Sequence, residues 1–347
     1  MAWKRDVEIH RERLASLLEV AGGAKRGLIV THNDPDPDAI GSAVGLAELL
    51  QRRLRARVTL AYSGIIGRAE NRAMVEELGI ALQPLDSLNC DDYDLIALVD
   101  SQPGAGNQPF RDPCRVQVVV DHHRLLERTR SVPFWDVREG YGATSTIVVW
   151  YLRDARVRLT ARVATALFYG IKSDTLGLAR ATHQDDARAY LHLQGYVDST
   201  ALVRIKNASV SPEYFRVLDR ALHQTSLHDH VMVARVGEMR YPDMAAEVAD
   251  MLHRLRDTIV VLAIGQYADD VIVSARSSER GIPLDELVQK VIGEDGSAGG
   301  HGFMAAGRVP ASLAGTAEDT ERELVKRFAR ALGVDERRGK PLLPSPA

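Results

Sequence analysis

The chain has 347 residues, a length that predicts about two domains, each with its own hydrophobic core. Its composition of 45% hydrophobic and 26% charged residues is typical of globular proteins and excludes a disordered or fibrous chain. The formal net charge of -3 excludes the strongly basic surface of a non-specific duplex-DNA binder, although local basic groups can still hold a small anion.

The first predicted elements are a helix, a strand, a polar loop and a second helix. Apolar residues at helical spacing predict a helix over residues 3–21, which Gly22-Gly23 ends. The apolar run over residues 27–31 predicts a strand. Two prolines in residues 32–38 exclude both a helix and a central strand there, so this segment is predicted to be a loop. The helix that follows presents an apolar face over residues 40–50.

The same alternation continues, with strands predicted over residues 56–61, 94–99 and 115–120 and a helix over residues 68–78. Continuous Val, Leu and Ile runs separated by helices are typical of a buried, mostly parallel sheet with helices on both faces. We therefore predict an α/β fold with a doubly wound sheet. Ligands of such sheets bind beyond the carboxyl ends of the strands, near a topological switch point.

Later segments complete the predicted organisation. Gly142-Ala143-Thr144-Ser145 is a plausible cap for a helix over residues 146–152, and a second helix runs from Arg162 to about Ile171. Residues 185–223 are mostly helical in pattern, and strands and helices alternate after His228. We divide the chain into an N-terminal domain (1–200), a helical linker (201–226), a smaller α/β domain (227–335) and a disordered tail (336–347).

Cysteine use and hydropathy bear on the cellular compartment. Cys90 and Cys114 lie in no CxxC or other metal-ligand spacing, which argues against a disulfide scaffold and a structural zinc site. Residues 3–8 are charged where a signal peptide needs apolar residues, and apolar runs such as residues 147–152 are too short to span a bilayer. We expect a cytoplasmic protein with no membrane partner.

Clusters of acidic residues and histidines follow three predicted strands. His32, Asp36 and Asp38 follow the first, Asp100 follows another, and Asp121-His122-His123 follows the third. A mixed His and Asp set suits a catalytic transition-metal site. Each cluster, taken alone, also has a structural explanation, because Asp38 can be a helix N-cap and an Asp at a strand end is common. Asp174, after an apolar helix, can likewise be a helix-terminal acid.

The ordered combination resembles a known family. The segments His32-x3-Asp36-x-Asp38, Asp100, Asp121-His122-His123-Arg124 and Gly170 to Thr175 are similar to the four sequential motifs of the DHH phosphoesterases. This resemblance implies that His32, Asp36 and Asp100 hold one Mn²⁺ and that Asp38, Asp100, His122 and Asp174 hold the other. Asp100 would bridge the two ions, and His123 would face the substrate as a catalytic residue.

The second domain resembles the DHH-associated C-terminal domain. Arg276-Ser277-Ser278 and the segment Gly299 to Gly307 are similar to its Arg-Ser and glycine-rich His signatures, although the family often has three glycines before the histidine and this chain has two. The resemblance implies an active site in the interdomain cleft and a set of substrate-binding residues. These residues are Arg276, Ser277, Gly299, Gly300 and His301.

The predicted activity is metal-dependent hydrolysis of phosphate esters in small nucleotides. Substrates of this class are short single-stranded oligoribonucleotides, linear or cyclic dinucleotides and adenosine 3',5'-bisphosphate. Two alternatives stay open: a hydrolase of inorganic pyrophosphate or polyphosphate with the same metal motifs, and a nucleotide sensor that binds without turnover. A homodimer is the expected assembly, because two-fold dimers are the commonest oligomers of soluble enzymes.

Overall fold

The computed structural model describes residues 2–108, 110, 115–180, 183–279, 281–301, 303–335 and 338–343, and every structural statement below refers to these residues. Cys114 and Gly302, which figured in the sequence analysis, lie outside them. The chain forms two compact units, Met1–Ala208 and Ser209–Ala347. No α-helix in the described ranges combines the length and the apolar character needed to cross a membrane.

The first unit alternates strands and helices through most of its length. Its elements are α1 (Ala2–Val20), β1 (Arg26–Asn33), α2 (Pro37–Leu54), β2 (Arg57–Ser63), α3 (Ala69–Glu77), β3 (Leu82–Pro84), β4 (Leu95–Val99), β5 (Val118–Asp121), β6 (Phe134–Val137), α4 (Thr144–Asp154), α5 (Ala161–Asp174), α6 (Gln184–Gln194) and α7 (Ser199–Lys206).

The strands of the first unit form one parallel six-stranded sheet in the order β3-β2-β1-β4-β5-β6. This arrangement confirms the predicted α/β fold. The strand order reverses between β1 and β4, so the topological switch point lies at the carboxyl ends of these two strands. His32 belongs to the end of β1 and Asp100 follows β4 directly, which brings the first two predicted clusters to this point.

The two faces of the sheet are covered differently. Helices α1 to α7 pack in the large apolar cluster on one face, together with strand residues such as Ile29 and Val99. The cluster on the other face includes Leu28 and Val30 and takes its remaining described members from strands and non-α-helical connections. We had predicted helices on both faces. The connection over residues 85–94 is shorter than the dozen or more residues that a helical crossover needs, and it forms two 3₁₀ turns instead.

The second unit builds a seven-stranded sheet between two layers of helices. Its elements are α8 (Pro212–His223), β7 (Thr225–His228), β8 (Val231–Glu238), α9 (Asp243–Leu252), β9 (Val260–Tyr267), β10 (Asp270–Ser277), α10 (Leu284–Ile292), β11 (Ser297–His301), β12 (Met304–Pro310), α11 (Ala317–Leu332) and β13 (Lys340–Pro341). The order is β11-β12-β10-β9-β8-β7-β13, and only the β8–β9 pair is parallel among these described strands.

Two predicted segments differ from the structure. The segment proposed as a linker, residues 201–226, is divided between the units: α7 belongs to the first, and α8 buries Val217 and Ala221 in the core of the second. Burial of this apolar face fixes α8 to its sheet, so it is part of the unit. In the segment predicted to be disordered, Lys340 and Pro341 pair with β7.

Candidate metal centre

The loop after β1 gives Asp36 and Asp38 different surroundings. Asp36 is the N-cap of α2, and its Oδ1 accepts hydrogen bonds of 3.0 Å from the backbone N–H groups of Asp38 and Ala39. Pro37 follows at the first helical position, where a missing N–H costs nothing. The structural alternative for Asp38 as the N-cap is therefore wrong. Its fully buried side chain has no capping role in its own helix.

The carboxylate of Asp38 instead caps a different helix. Its Oδ2 accepts from the backbone N–H of Thr144 at 2.6 Å, and its Oδ1 accepts from that of Ser145 at 2.8 Å. These donors belong to the first turn of α4, whose own N-cap, Ala143, has no side-chain acceptor. The backbone of α5 passes close to Asp38 at Gly170, where an added Cβ would lie 3.0 Å from the Cα of Asp38. The positive end of the α4 dipole therefore holds this acid in place.

Asp100 lies between the histidines. It follows β4 with a left-handed backbone (φ 56°), and its side chain is 1% exposed. Its Oδ1 accepts from the Thr144 hydroxyl at 2.8 Å and lies 3.5 Å from His122 Nε2. Its Oδ2 lies 3.5 Å from His32 Nε2. One carboxylate thus faces both imidazoles, one with each oxygen, which is the geometry required of a bridging ligand.

His32 and His122 are oriented in the same way. The Nδ1 of His32 donates to the carbonyl of Asn33 at 2.7 Å, and the Nδ1 of His122 donates to that of Tyr141 at 3.1 Å. A backbone carbonyl on Nδ1 fixes the tautomer in which Nε2 is free to bind a metal. The Nε2 of His122 is buried without a hydrogen-bond partner and lies 3.5 Å from Asp174 Oδ2. The Nε2 of His122 is therefore a candidate metal-ligand atom.

His123 differs from its neighbour in exposure and contacts. Its side chain is 44% exposed, and its Nδ1 lies 2.8 Å from Asp121 Oδ1. Asp121 is itself buried and accepts from Gln102 Nε2 at 2.7 Å through its other oxygen. Burial lowers the pKa of His123. The hydrogen bond to Asp121 and the charge of Asp100 raise this pKa by more than burial lowers it, so the net shift is upward. Asp121 therefore orients the ring, solvent can reach it, and its protonated form is favoured.

The six predicted ligands form two groups, which approach each other where Asp100 Oδ1 lies 3.5 Å from His122 Nε2. The donor atoms of His32, Asp36 and Asp100 lie within 4.8 Å of one another, and so do those of Asp38, His122 and Asp174. A third set within the same limit joins Asp100 and His122 to His123. The chain therefore brings together residues that are up to 142 positions apart, His32 to Asp174, in one partly buried cluster at the switch point.

The electrostatics of the cluster favour a cation. Burial and the charges of Asp100 and Asp174 hold the pKa of Asp38 well above its usual value. Burial and the charge of Asp36 raise the pKa of Asp174 to about 6. The pKa of His122 is also raised, because the nearby carboxylates outweigh the effect of its burial. The cluster thus gathers like-charged carboxylates whose repulsion a divalent ion would relieve, and the His and Asp donors suit Mn²⁺.

Several residues that orient this cluster were not identified in the sequence. Thr144 and Ser145 were assigned to a cap of their own helix, whereas they bind Asp38 and Asp100. Gln102 holds Asp121 and also accepts from the Leu126 N–H at 2.9 Å. A Thr-Ser pair at the start of a helix indicates free hydrogen-bond donors that a carboxylate from another segment can accept. Nothing in the sequence distinguishes Gln102 from other glutamines.

The second unit contains the other predicted site residues. Arg276, near the end of β10, is buried and ion-paired with Asp250, and it also donates to the Ser274 hydroxyl at 3.0 Å. Ser277 is buried and donates to the Glu279 carbonyl at 3.2 Å. These groups are satisfied within the unit, unlike His122 in the first.

The two glycines before His301 lie in a strand. Gly299 and Gly300 belong to β11, which pairs antiparallel with β12, and His301 pairs with Met304. A Cβ at Gly300 would lie 2.5 Å from the Met304 carbonyl oxygen, whereas a Cβ at Gly299 would have no neighbour within 4 Å. Gly300 is therefore required for strand packing, and Gly299 leaves its backbone open to approach.

Two family models match parts of this chain. Residues 26–171 match the model of the DHH family, N-terminal domain, and residues 228–333 match that of the DHHA1 domain. The chain contains a DHH domain and a DHHA1 domain. Its DHH domain contains five of the six clustered acids and histidines, and Asp174, three residues beyond the matched range, is the last residue of α5.

Three curated proteins are similar to this chain over different lengths. The chain is 34% identical to an uncharacterized protein, MJ1633, of Methanocaldococcus jannaschii, covering 88% of this chain and 62% of the relative. It is 27% identical to the cyclic-di-AMP phosphodiesterase GdpP of Geobacillus thermodenitrificans, covering 90% of this chain and 49% of the relative. It is 27% identical to a probable manganese-dependent inorganic pyrophosphatase of Lactobacillus acidophilus, covering 47% and 51%. The chain thus spans between about half and 62% of these relatives.

A solved structure shows the same fold. An exopolyphosphatase-related protein from Bacteroides fragilis superimposes with a TM-score of 0.69 at 16% identity, covering 94% of this chain and 96% of the other. At this identity the likeness shows a shared fold.

Proposed function

We propose that this chain hydrolyses phosphate esters of small nucleotides with the aid of two divalent metal ions, Mn²⁺ by preference. The observation that carries the proposal is the adjacent pair of donor groups, His32, Asp36 and Asp100 in one and Asp38, His122 and Asp174 in the other. The Asp100 carboxylate faces a histidine of each group, and the Nε2 of His122 is buried without a hydrogen-bond partner. A buried imidazole nitrogen that faces carboxylates and has no hydrogen-bond partner is well placed to bind a cation.

In this proposal each ligand set holds one ion. His32, Asp36 and Asp100 hold the first, and Asp38, Asp100, His122 and Asp174 hold the second. When bound, a pair of divalent ions supplies an activated water and stabilises the charge that develops on phosphoryl oxygens. The chain's part is to fix the ligands through Asn33, Tyr141 and the first turn of α4, so that little reorganisation accompanies the reaction.

His123 is the proposed acid. Asp121 orients its ring and favours the protonated form, and the ring's exposure leaves it accessible to a ligand. It would donate a proton to the leaving-group oxygen or a hydrogen bond to a phosphoryl oxygen. Arg276, Ser277, Gly299, Gly300 and His301 are the proposed substrate-binding residues of the DHHA1 domain, by resemblance to the family signatures.

The choice of substrate has support from the relatives. The match to GdpP, whose name gives cyclic di-AMP as substrate, covers 90% of this chain, whereas the match to the pyrophosphatase covers 47%. This difference favours nucleotide esters. The pyrophosphatase match nevertheless makes inorganic pyrophosphate or polyphosphate hydrolysis the second candidate, because both activities use the same kind of metal centre.

A substrate panel tests the proposal. The full chain with Mn²⁺ is assayed against a linear dinucleotide, a cyclic dinucleotide, a short oligoribonucleotide, adenosine 3',5'-bisphosphate, pyrophosphate and polyphosphate. We expect the highest kcat/KM for a nucleotide ester. Preference for pyrophosphate or polyphosphate would establish the second candidate, and tight nucleotide binding without any turnover would indicate the sensor.

A further inference from the structure

A second charged site lies in the first unit, in a cleft of about 600 Å³ between the end of α2 and the α4–α5 connection. We call it the arginine cleft and define it by its lining residues, Arg52, Arg53 and residues 155–161. Arg156 and Arg158 add two further guanidinium groups to it. No acidic residue is among these lining residues, all of which lie in the described part of the chain.

The charge of the arginine cleft is only partly compensated. Arg52 pairs with Glu48 at 2.8 Å across one turn of α2. Within the described ranges, Arg53, Arg156 and Arg158 form no ion pair with an acidic side chain, and all three are exposed. Cations held in one cleft repel one another, and a bound anion would remove this repulsion.

The positions of these arginines are not all explained by helix stability. Arg52 and Arg53 lie in the last turn of α2, where the dipole favours a positive charge. Arg158, in contrast, precedes α5 and lies near the positive end of that 14-residue helix, where the dipole disfavours a cation. The Thr160 side chain accepts only from the Val163 N–H, so the earlier N–H groups of α5 add donors at the same place.

Arg156 also occupies an unusual backbone position. Its φ is 53°, and it ends α4 in a Schellman motif, with the Arg156 N–H bonded to the Arg153 carbonyl and the Val157 N–H bonded to that of Leu152, both at 2.9 Å. Glycine is the usual residue at this position because it has no Cβ. Arg156 therefore has a strained, left-handed backbone conformation at a position where it lines the arginine cleft.

We propose that the arginine cleft binds a nucleoside di- or triphosphate. Several positive groups with N–H donors from α5 suit a multiply charged phosphate chain, and the half-buried Val157 and Leu159 offer apolar contact to the base. The volume falls within the range of small-molecule sites. A single phosphate would leave most of the charge unmatched.

This site is separate from the candidate metal centre. Asp38 and Arg52 lie near opposite ends of α2, about 21 Å apart along its axis. Asp174 and Ala161 are the last and first residues of α5, about 20 Å apart. The inference therefore stands whether or not the proposed hydrolysis is correct.

Isothermal titration of the full chain with ADP and ATP in the presence of EDTA tests the proposal, because chelation removes metal-dependent binding elsewhere. We expect the double variant Arg156→Gln/Arg158→Gln to weaken binding about 100-fold, since it removes two charge-assisted contacts. The matched control, Arg11→Gln/Arg256→Gln, removes two exposed charges elsewhere and should bind like the wild type. Arg156→Gly, which suits the left-handed backbone, should also weaken binding while circular dichroism shows an unchanged fold.

Three outcomes would overturn the proposal. The first is the absence of nucleotide binding to the wild type, and the second is equal binding by the wild type and the Arg156→Gln/Arg158→Gln variant. The third is binding of a single-stranded oligonucleotide at least about tenfold tighter than ATP, lost in the same variant, which would assign the arginine cleft to a nucleic-acid backbone.

Discussion

In the first unit the clustered side chains are incompletely satisfied by the protein, whereas in the second the corresponding side chains already have partners. His122 Nε2 is buried without a hydrogen bond, and Asp38 and Asp174 have raised pKa values beside like charges. Arg276 is paired with Asp250, and Ser277 with Glu279. The first arrangement calls for an external cation. The second must exchange a partner before it binds a ligand, so its role depends more on resemblance than on geometry.

The largest expected effect tests the first half of this comparison. Asp100→Ala removes the carboxylate that faces both His32 and His122, and it should lower Mn²⁺-dependent kcat by about 10³-fold or more. Asp100→Asn is the isosteric control and should be nearly as damaging, because the charge is lost while the shape is kept. Hydrolysis near the wild-type rate in either variant would refute the shared-ligand assignment.

The next effect concerns the support of that carboxylate. Thr144→Val removes the hydroxyl that donates to Asp100 at 2.8 Å, and we expect Mn²⁺ affinity to fall about 10- to 100-fold. Thr144→Ser keeps the donor and should restore affinity close to that of the wild type. If valine and serine variants titrate alike with Mn²⁺, the hydroxyl does not position the ligand.

A smaller effect is expected in the second unit. Arg276→Gln should raise KM by roughly tenfold through the loss of a charge-assisted contact, with Mn²⁺ affinity unchanged. Asp250→Asn breaks the same ion pair but keeps the guanidinium, so KM should not rise. Equal increases of KM in both variants would show that Arg276 acts only through the structure of its unit.

The smallest expected effect is a pH dependence of stability. Folding raises the pKa of Asp174 from 3.8 to about 6 and raises those of His32 and His122 above 6.5. Groups with raised pKa values stabilise the fold at low pH, and this contribution is lost as pH rises through the folded-state values. In EDTA the melting temperature should therefore fall between about pH 5 and pH 8 by a few degrees, or about 1 kcal/mol.

Saturating Mn²⁺ provides the control for that measurement. Because metal binding displaces protons from its ligands, the stabilisation by Mn²⁺ should be larger at about pH 8 than at about pH 5. The same increment at both values would contradict a metal centre built from these titrating groups.

The sequence by itself determined the fold class and the composition of the candidate centre. The apolar runs of β1, β4 and β5 predict a buried parallel sheet. His32, Asp100 and His122 come at the carboxyl ends of these runs, which is where such sheets bind their ligands. The predicted set of six residues required no knowledge of distances, since it rested on ordered motifs.

Only the tertiary structure decided how those residues are held. Asp38 caps α4 through a contact with Thr144, which is 106 residues away in the sequence. Thr144 also binds Asp100, which is 44 residues away. The pairing of Arg276 with Asp250 and the convergence of the arginine cleft from two helix ends are likewise long-range. Local pattern reports which face of an element is buried, but the partner on that face is chosen by packing, and packing is a property of the folded chain.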